Sequence, residues 1–214
     1  AKQGAVVTGC DLSKPNIERA RAYAAEAGVS VDFQVADAES LPFADKEFDV
    51  VVSSHVLEHL PDFDKGLQEA LRVAKNRTVI AIPTAWSMLS FVQLGGGWFY
   101  LKGPRSFLAF FVGVWRVLIA RAFGRDGVDE TYAGSGVPHI FRFPHVVRTH
   151  IAAAGGEVLI QEASTLALPY FALLLPLARF FDRFRGSPIL QSLGYGTTFV
   201  IKPPAHRGQR FLRT

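Results

Sequence analysis

Over the first 84 residues, hydrophobic positions fall into short blocks separated by polar or amphipathic stretches. Residues 5–8 form a brief apolar, β-branched run, the pattern of a strand, which Asp11 ends. Ser13 offers a helix N-cap and Pro15 suits a first turn. A helix is therefore predicted over residues 17–27, rich in Ala, Glu and Arg and closed by Gly28. Residues 31–36 read as the next strand, and 37–47 as a polar loop holding Leu41-Pro42-Phe43. Residues 48–53 are a continuous apolar run, expected of a strand buried on both faces. A helix over 64–74 and a buried strand over 78–82, before Pro83, complete the series. Strands and helices at this spacing imply an α/β class with a parallel sheet and right-handed crossovers.

The texture changes after Thr84. Residues 85–124 are aromatic and apolar around the hinge-like Gly95-Gly96-Gly97, and 125–138 are polar and Gly-rich. A helix is predicted over 143–154, ended by Gly155-Gly156, with strands over 157–162 and 197–202. The organisation expected is a first part, 1–84; an apolar insertion or lid, 85–135; a return to the core, 136–163; a second apolar insertion, 164–196; and a last strand with a basic tail, 197–214. No internal repeat is found.

Composition narrows the class. The chain has 214 residues, 49% hydrophobic and 20% charged, which excludes wholesale disorder. The net charge of +4 suits nucleic acid, an anionic membrane or an acidic substrate without choosing among them. Cys10 is the one cysteine, so no intrachain disulfide forms, and a reduced, cytoplasmic setting fits. It reads as a small buried hydrophobe. No secretory signal opens the chain, and its abrupt start without Met suggests missing upstream sequence.

In an open parallel sheet, ligands bind beyond the carboxyl ends of the strands. Asp11 stands at the first such end, where a carboxylate can accept from both hydroxyls of a ribose. Asp37 stands at the second, suited to an exocyclic amine, and Ala38 beside it offers a backbone N–H to a ring nitrogen. Ser53 and Ser54 end the third. That order of groups suits a nucleoside.

Three stretches carry a resemblance: Val7-Thr8-Gly9-Cys10-Asp11-Leu12-Ser13, Ala36-Asp37-Ala38-Glu39-Ser40-Leu41-Pro42-Phe43, and Phe48-Asp49-Val50-Val51-Val52-Ser53-Ser54-His55-Val56-Leu57-Glu58-His59-Leu60. Together they resemble successive motifs of class I S-adenosylmethionine-dependent methyltransferases, closely over 1–84 and more weakly over 136–163 and 197–203. The resemblance implies a Rossmann-like, mostly parallel sheet with an antiparallel last strand and apolar helical insertions. It implies S-adenosylmethionine as cofactor, with Asp11 on the ribose, Leu12 packing on the adenine, Asp37 and Ala38 reading the adenine edge, and Ser54 near the methionine part. The chain departs from the family in lacking its first, Gly-rich strand, expected with its flanking helices in an upstream segment of on the order of 40–60 residues. Without that strand, the one ending at Asp11 would lack a neighbour. The other departure is Lys75-Asn76-Arg77 where the family often has a Pro-Gly-Gly turn.

His55-x-x-Glu58-His59 also matches a zinc-peptidase spacing, which needs both histidines on one helix face. Leu60-Pro61 stops a long helix there. The run resembles that of quinone-biosynthesis O-methyltransferases, where acidic and histidine residues at this turn are associated with a divalent metal. Cofactor-side packing without a metal is the preferred reading. For an oxygen or acidic carbon acceptor, methyl transfer needs a base. The family often shows a histidine where His139 stands, facing the acceptor; His59 is the second candidate. Tyr132, Arg142 and His145 are further pocket candidates.

Neither apolar insertion offers the roughly 20 uninterrupted apolar residues of a spanning helix. Arg116 breaks the first, and Pro169 and Pro176 break the second. Arg105, Arg121, Arg125, Arg179, Arg183 and Arg185 flank them, which suits helices lying at a membrane interface. The alternative is an internal lid over the cofactor site. Arginines interleaved with apolar runs disfavour a nucleic-acid surface. The function expected is methyl transfer to a small, apolar or lipid-like acceptor, in the cytoplasm or peripherally at the inner membrane face. The rival is a non-catalytic, membrane-associated module with a degenerate methyltransferase fold.

Overall fold

The computed structural model describes residues 1–96, 104–131, 137–163, 180, 183–184, 186–187, 190–192, 194 and 196–205, with backbone alone at 88–89 and 104–107. Strand β1 (Thr8–Asp11), helix α1 (Lys14–Glu26) and strand β2 (Asp32–Val35) form the first unit. The Ser13 hydroxyl accepts from the Asn16 N–H at the start of α1, Pro15 lies in its first turn, and Gly28 follows its end with φ +65°. β1 and β2 pair in parallel, from Thr8 opposite Asp32 to Asp11 opposite Val35. The first strand thus begins at Thr8 rather than at residue 5. Val6 is fully exposed, so residues 5–7 bury no face; the ladder to β2 sets the strand. Cys10 is exposed, not buried.

A separate four-stranded sheet runs β3-β4-β8-β7, from β3 (Phe48–Ser54), β4 (Ala74–Pro83), β7 (Glu157–Ala163) and β8 (Gly196–Lys202). β3 and β4 are parallel, and β8 is antiparallel to both β4 and β7, as expected for the last strand. Helix α2 (Phe63–Val73) is capped by the Asp62 carboxylate, which accepts from the Lys65 N–H. At Ala74 the chain turns to φ −86°, ψ 130° and passes straight into β4. Lys75-Asn76-Arg77 is therefore strand rather than turn, and β4 is longer than its apolar centre suggests.

The main core joins Phe63, Leu67 and Leu71 of α2, Ile80 and Ile82 of β4, Phe199 and Ile201 of β8, and Val147 and Ile151 of α5 (Pro144–Ala153). β3 is not buried on both faces, for Val50 is 52% and Val52 68% exposed. Its apolar run faces α2 on one side only; among the described residues nothing covers the other.

The first insertion folds as two helices, α3 (Met88–Leu94) and α4 (Pro104–Ala122). Their backbones touch. A Cβ on Gly95 would collide with the Ala109 carbonyl, and one on Gly113 with the Phe91 carbonyl. A second core joins Ala85 and Leu94 to Val117 and Ala120 of α4, Val128 of β5 (Gly127–Asp129), Phe141 of β6 (Ile140–Arg142) and Phe143. The inner face of the insertion is thus packed. Residues 166–178, the apolar run of the second insertion, lie outside the described residues, as do Arg179 and Arg185 and the side chain of Arg105. Among the described residues no helix is long and apolar enough to cross a membrane.

Candidate functional site

Asp11 and Asp37 stand side by side at the carboxyl ends of β1 and β2, where the Ala36 N–H donates to the Asp11 carbonyl at 3.2 Å. Asp11 Oδ1 accepts from the Ser13 N–H at 2.8 Å and from the Asn16 amide at 3.2 Å, which fixes the carboxylate against the start of α1. Asp37 Oδ1 accepts from the Glu39 N–H at 2.9 Å. An ionised carboxylate has about four acceptor sites. Oδ2 of each aspartate carries no protein hydrogen bond among the described residues. Between them Leu12 is 72% exposed, and Ala38 is half-buried. Two held carboxylates with accepting capacity to spare and an open apolar side chain fit a ribose and an adenine. Ser54 is exposed at the carboxyl end of β3, in the other sheet. The structure therefore groups Asp11, Leu12, Asp37 and Ala38 at one edge and gives Ser54 no bond to them.

Beyond Ser54 the chain turns sharply. His55 takes φ +54°, a left-handed conformation that costs a non-glycine residue roughly 1–2 kcal/mol. A single 3-10 turn, Leu57–His59, follows. His55 lies outside it, so His55 and His59 do not share a helix face and the zinc-peptidase geometry is absent. Glu58 is 1% exposed. Its Oε1 lies 3.2 Å from His55 Nδ1 and 4.0 Å from His59 Nε2, and its Oε2 is buried without a hydrogen bond. Burial pushes the Glu58 carboxyl above its ordinary range, against the opposing pull of His55 and His59.

His59 Nδ1 lies 2.9 Å from the Pro138 carbonyl, which only accepts, so Nδ1 carries a proton and donates, while Nε2 faces Glu58. This bond brings in His139. The two imidazoles stack at 4.6 Å between centroids and 28° between planes, and Phe141 lies at 4.8 Å from His139 on β6. Burial, followed by the neighbouring His59 and His55, lowers the His139 pKa. Donor atoms of Glu58, His59 and His139 all lie within 4.8 Å of one another. Ligands of one zinc sit roughly 3.4 Å apart, given bonds near 2.1 Å, so gripping an ion takes a shift of the cluster.

Sequence reasoning had both histidines but not their contact, because nothing local links positions separated by 80 residues. The remaining candidates are elsewhere. Arg142 is buried with its guanidinium 4.0 Å over the Phe63 ring, and His145 stacks on Phe143. Tyr132 lies outside the described residues.

Residues 1–82 match the family described as methyltransferase domain. A ubiquinone biosynthesis O-methyltransferase of Chelativorans sp. (strain BNC1) is 36% identical over 84 residues, 39% of this chain and 33% of that protein. One from Sinorhizobium medicae (strain WSM419) is 47% identical over 64 residues, 30% of this chain and 26% of that protein. The chain spans about a third of the length of the curated relatives it matches. A solved SAM-dependent methyltransferase of Methanosarcina mazei superposes with a TM-score of 0.58 at 16% identity, covering 95% of this chain and 84% of that one. An S-adenosylmethionine-dependent methyltransferase of Mesorhizobium loti gives 0.55 at 18% identity, covering 94% and 82%. At those identities the likeness is one of fold. The match to the methyltransferase domain family is thus confined to residues 1–82, and the chain shares the α/β fold of these solved methyltransferases.

Proposed function

We propose that the protein transfers a methyl group from S-adenosylmethionine to a small, apolar or lipid-like acceptor. The reading is carried by Asp11 and Asp37, held at adjacent strand ends inside the stretch that matches the family. Asp11 takes the ribose hydroxyls, Leu12 lies against the adenine, and Asp37 with the Ala38 N–H reads its edge. Ser54 lines the methionine part. Bound there, the cofactor supplies an electrophilic methyl carbon on a sulfonium.

His139 is the acceptor-side base. Its lowered pKa keeps the ring neutral at pH 7, so a nitrogen lone pair is available. For a hydroxyl acceptor, His139 removes the O–H proton as the oxygen–methyl bond forms and the sulfur–methyl bond breaks. His59 is held by Pro138 against the His139 ring and fixes its plane. The lipid-like character of the acceptor is supported by the aromatic and apolar insertion that leads into β5 and β6, the hairpin ending beside His139.

Calorimetric titration with S-adenosylhomocysteine tests the reading. Saturable binding is expected, weakened by about 1–3 kcal/mol in Asp11→Ala and in Asp37→Ala, the scale for hydrogen bonds to a charged partner. No binding by the wild-type protein would overturn it in favour of a non-catalytic module.

A further inference from the structure

We infer that the outer face of α4 is a docking surface for an anionic phospholipid bilayer, an inference that rests on the lipid-like acceptor proposed above. In the sequence, Arg116 breaks the apolar run. In the structure it is withdrawn from the outer face. Its guanidinium donates to the carbonyls of Leu94 and Asp129, the latter at 2.7 Å, and to Glu130 Oε2 at 3.1 Å. Ala109, Gly113, Val117 and Ala120 also face inward and are buried.

The large apolar side chains left outside are Leu108, Phe111, Val112, Trp115 and Leu118, recurring three or four apart along one side of the helix, with Leu108 66% and Trp115 65% exposed. Phe123 extends the stripe past the helix end at 77% exposure. A surface helix ordinarily shows its polar side to water. This one shows water its large apolar side chains, the mark of an interaction site.

Charge selects the occupant. From residue 85 to 125 there is no Asp or Glu, while Lys102, Arg105, Arg121 and Arg125 are cationic besides the inward-held Arg116. Arg121 and Arg125 are exposed at the end of the stripe. An apolar stripe with a tryptophan and arginine flanks suits a helix lying in the headgroup plane of an anionic leaflet. A second copy of the chain docked by this face would add its own arginines to the contact and no acidic residue from 85 to 125. The face is also coupled to the site. The Gly95 and Gly113 contacts hold α4 rigidly on α3, and Glu130, which anchors Arg116, donates its N–H to the His139 carbonyl at 2.8 Å.

The test is flotation with equimolar phosphatidylglycerol–phosphatidylcholine vesicles, against phosphatidylcholine alone. The wild-type protein is expected to float with the anionic vesicles. The double variant Trp115→Ser/Leu118→Ser is expected to bind at least about tenfold more weakly, since two large apolar side chains are then missing from the buried face. Arg121→Glu/Arg125→Glu, which leaves the stripe intact, is expected to lose the preference for anionic vesicles. Both variants should keep wild-type affinity for S-adenosylhomocysteine, which shows them folded and separates this inference from the methyltransferase reading. Equal flotation of wild type and both variants, or none by the wild type, overturns the inference. So does a concentration-dependent dimer in light scattering that Trp115→Ser/Leu118→Ser abolishes, which assigns the face to a second copy.

Discussion

Glu58 is a carboxyl held where its charged form is poorly served. One oxygen meets His55 and the other meets nothing, and burial raises its pKa above the usual 4.5. A raised folded-state pKa stabilises the fold below the unfolded value and loses that contribution as pH rises through the folded one. Ionising this carboxyl in the folded state therefore costs stability. Glu58→Gln, nearly isosteric and uncharged, is expected to raise the thermal midpoint at pH 7, with the gain disappearing below about pH 4.5. Thermal unfolding across that range checks it; a variant less stable at pH 7 would mean the charge is needed by the two histidines. His139 has the opposite sign. Its folded pKa is depressed below 6.5, so its contribution to stability is present above 6.5 and lost as pH falls through the folded value. The same depression keeps the base active under mild acid. With a hydroxyl acceptor, the acid limb of kcat/KM is expected below pH 6.5, and His139→Gln should lower the rate by about 10²–10⁴-fold and remove that limb. The residues of this cluster were visible in the sequence. Their meeting was not, since the His59–Pro138 bond that creates it spans two distant loops.

Elements with local start and stop signals were legible. Ser13, Pro15 and Gly28 bracket α1, Gly155 follows α5, and α2 and α5 begin within one residue of expectation. Where the signal was hydrophobicity alone, the reading failed. An apolar run says that a segment avoids water, not which faces have partners, so β3 was expected to be covered twice. The uniformly apolar 85–124 region gave no period, so its two helices were not separated. What holds them is the absence of side chains at Gly95 and Gly113. Gly113→Ala places a methyl against the Phe91 carbonyl, a rigid neighbour, and is expected to destabilise the protein by about 1–3 kcal/mol despite its better helix propensity. Denaturant unfolding followed by circular dichroism reads this. A gain in stability would show that the helices can part at little cost.

Apart from the small β5-β6 hairpin, the described residues form two sheets of unequal support. The β3-β4-β8-β7 sheet carries the main core, with α2 and α5 packed into it. The β1-β2 pair has α1 beside it and one buried hydrophobic side chain in that helix, Ile17. Two-stranded units are marginal on their own. Yet Asp11, Leu12, Asp37 and Ala38 all sit on the marginal unit, while Ser54 sits on the well-packed one. The strand order was beyond the sequence, because β8 inserts between β4 and β7 and no local pattern announces a neighbour more than a hundred residues away. The arrangement has a consequence for ligand binding. Amides of β1 and β2 should exchange hydrogen far faster than those of β4 and β8, since local opening there breaks few buried contacts. A ligand that spans the two units stabilises the weaker one most, because it must be ordered for binding. Adding S-adenosylhomocysteine is therefore expected to slow exchange strongly over 8–12 and 36–40 and to leave 196–202 nearly unchanged. Hydrogen-exchange mass spectrometry on these peptides decides it. Equal protection of both sheets before ligand would mean that they open as one cooperative unit, and that the cofactor residues are already held in place when the ligand arrives.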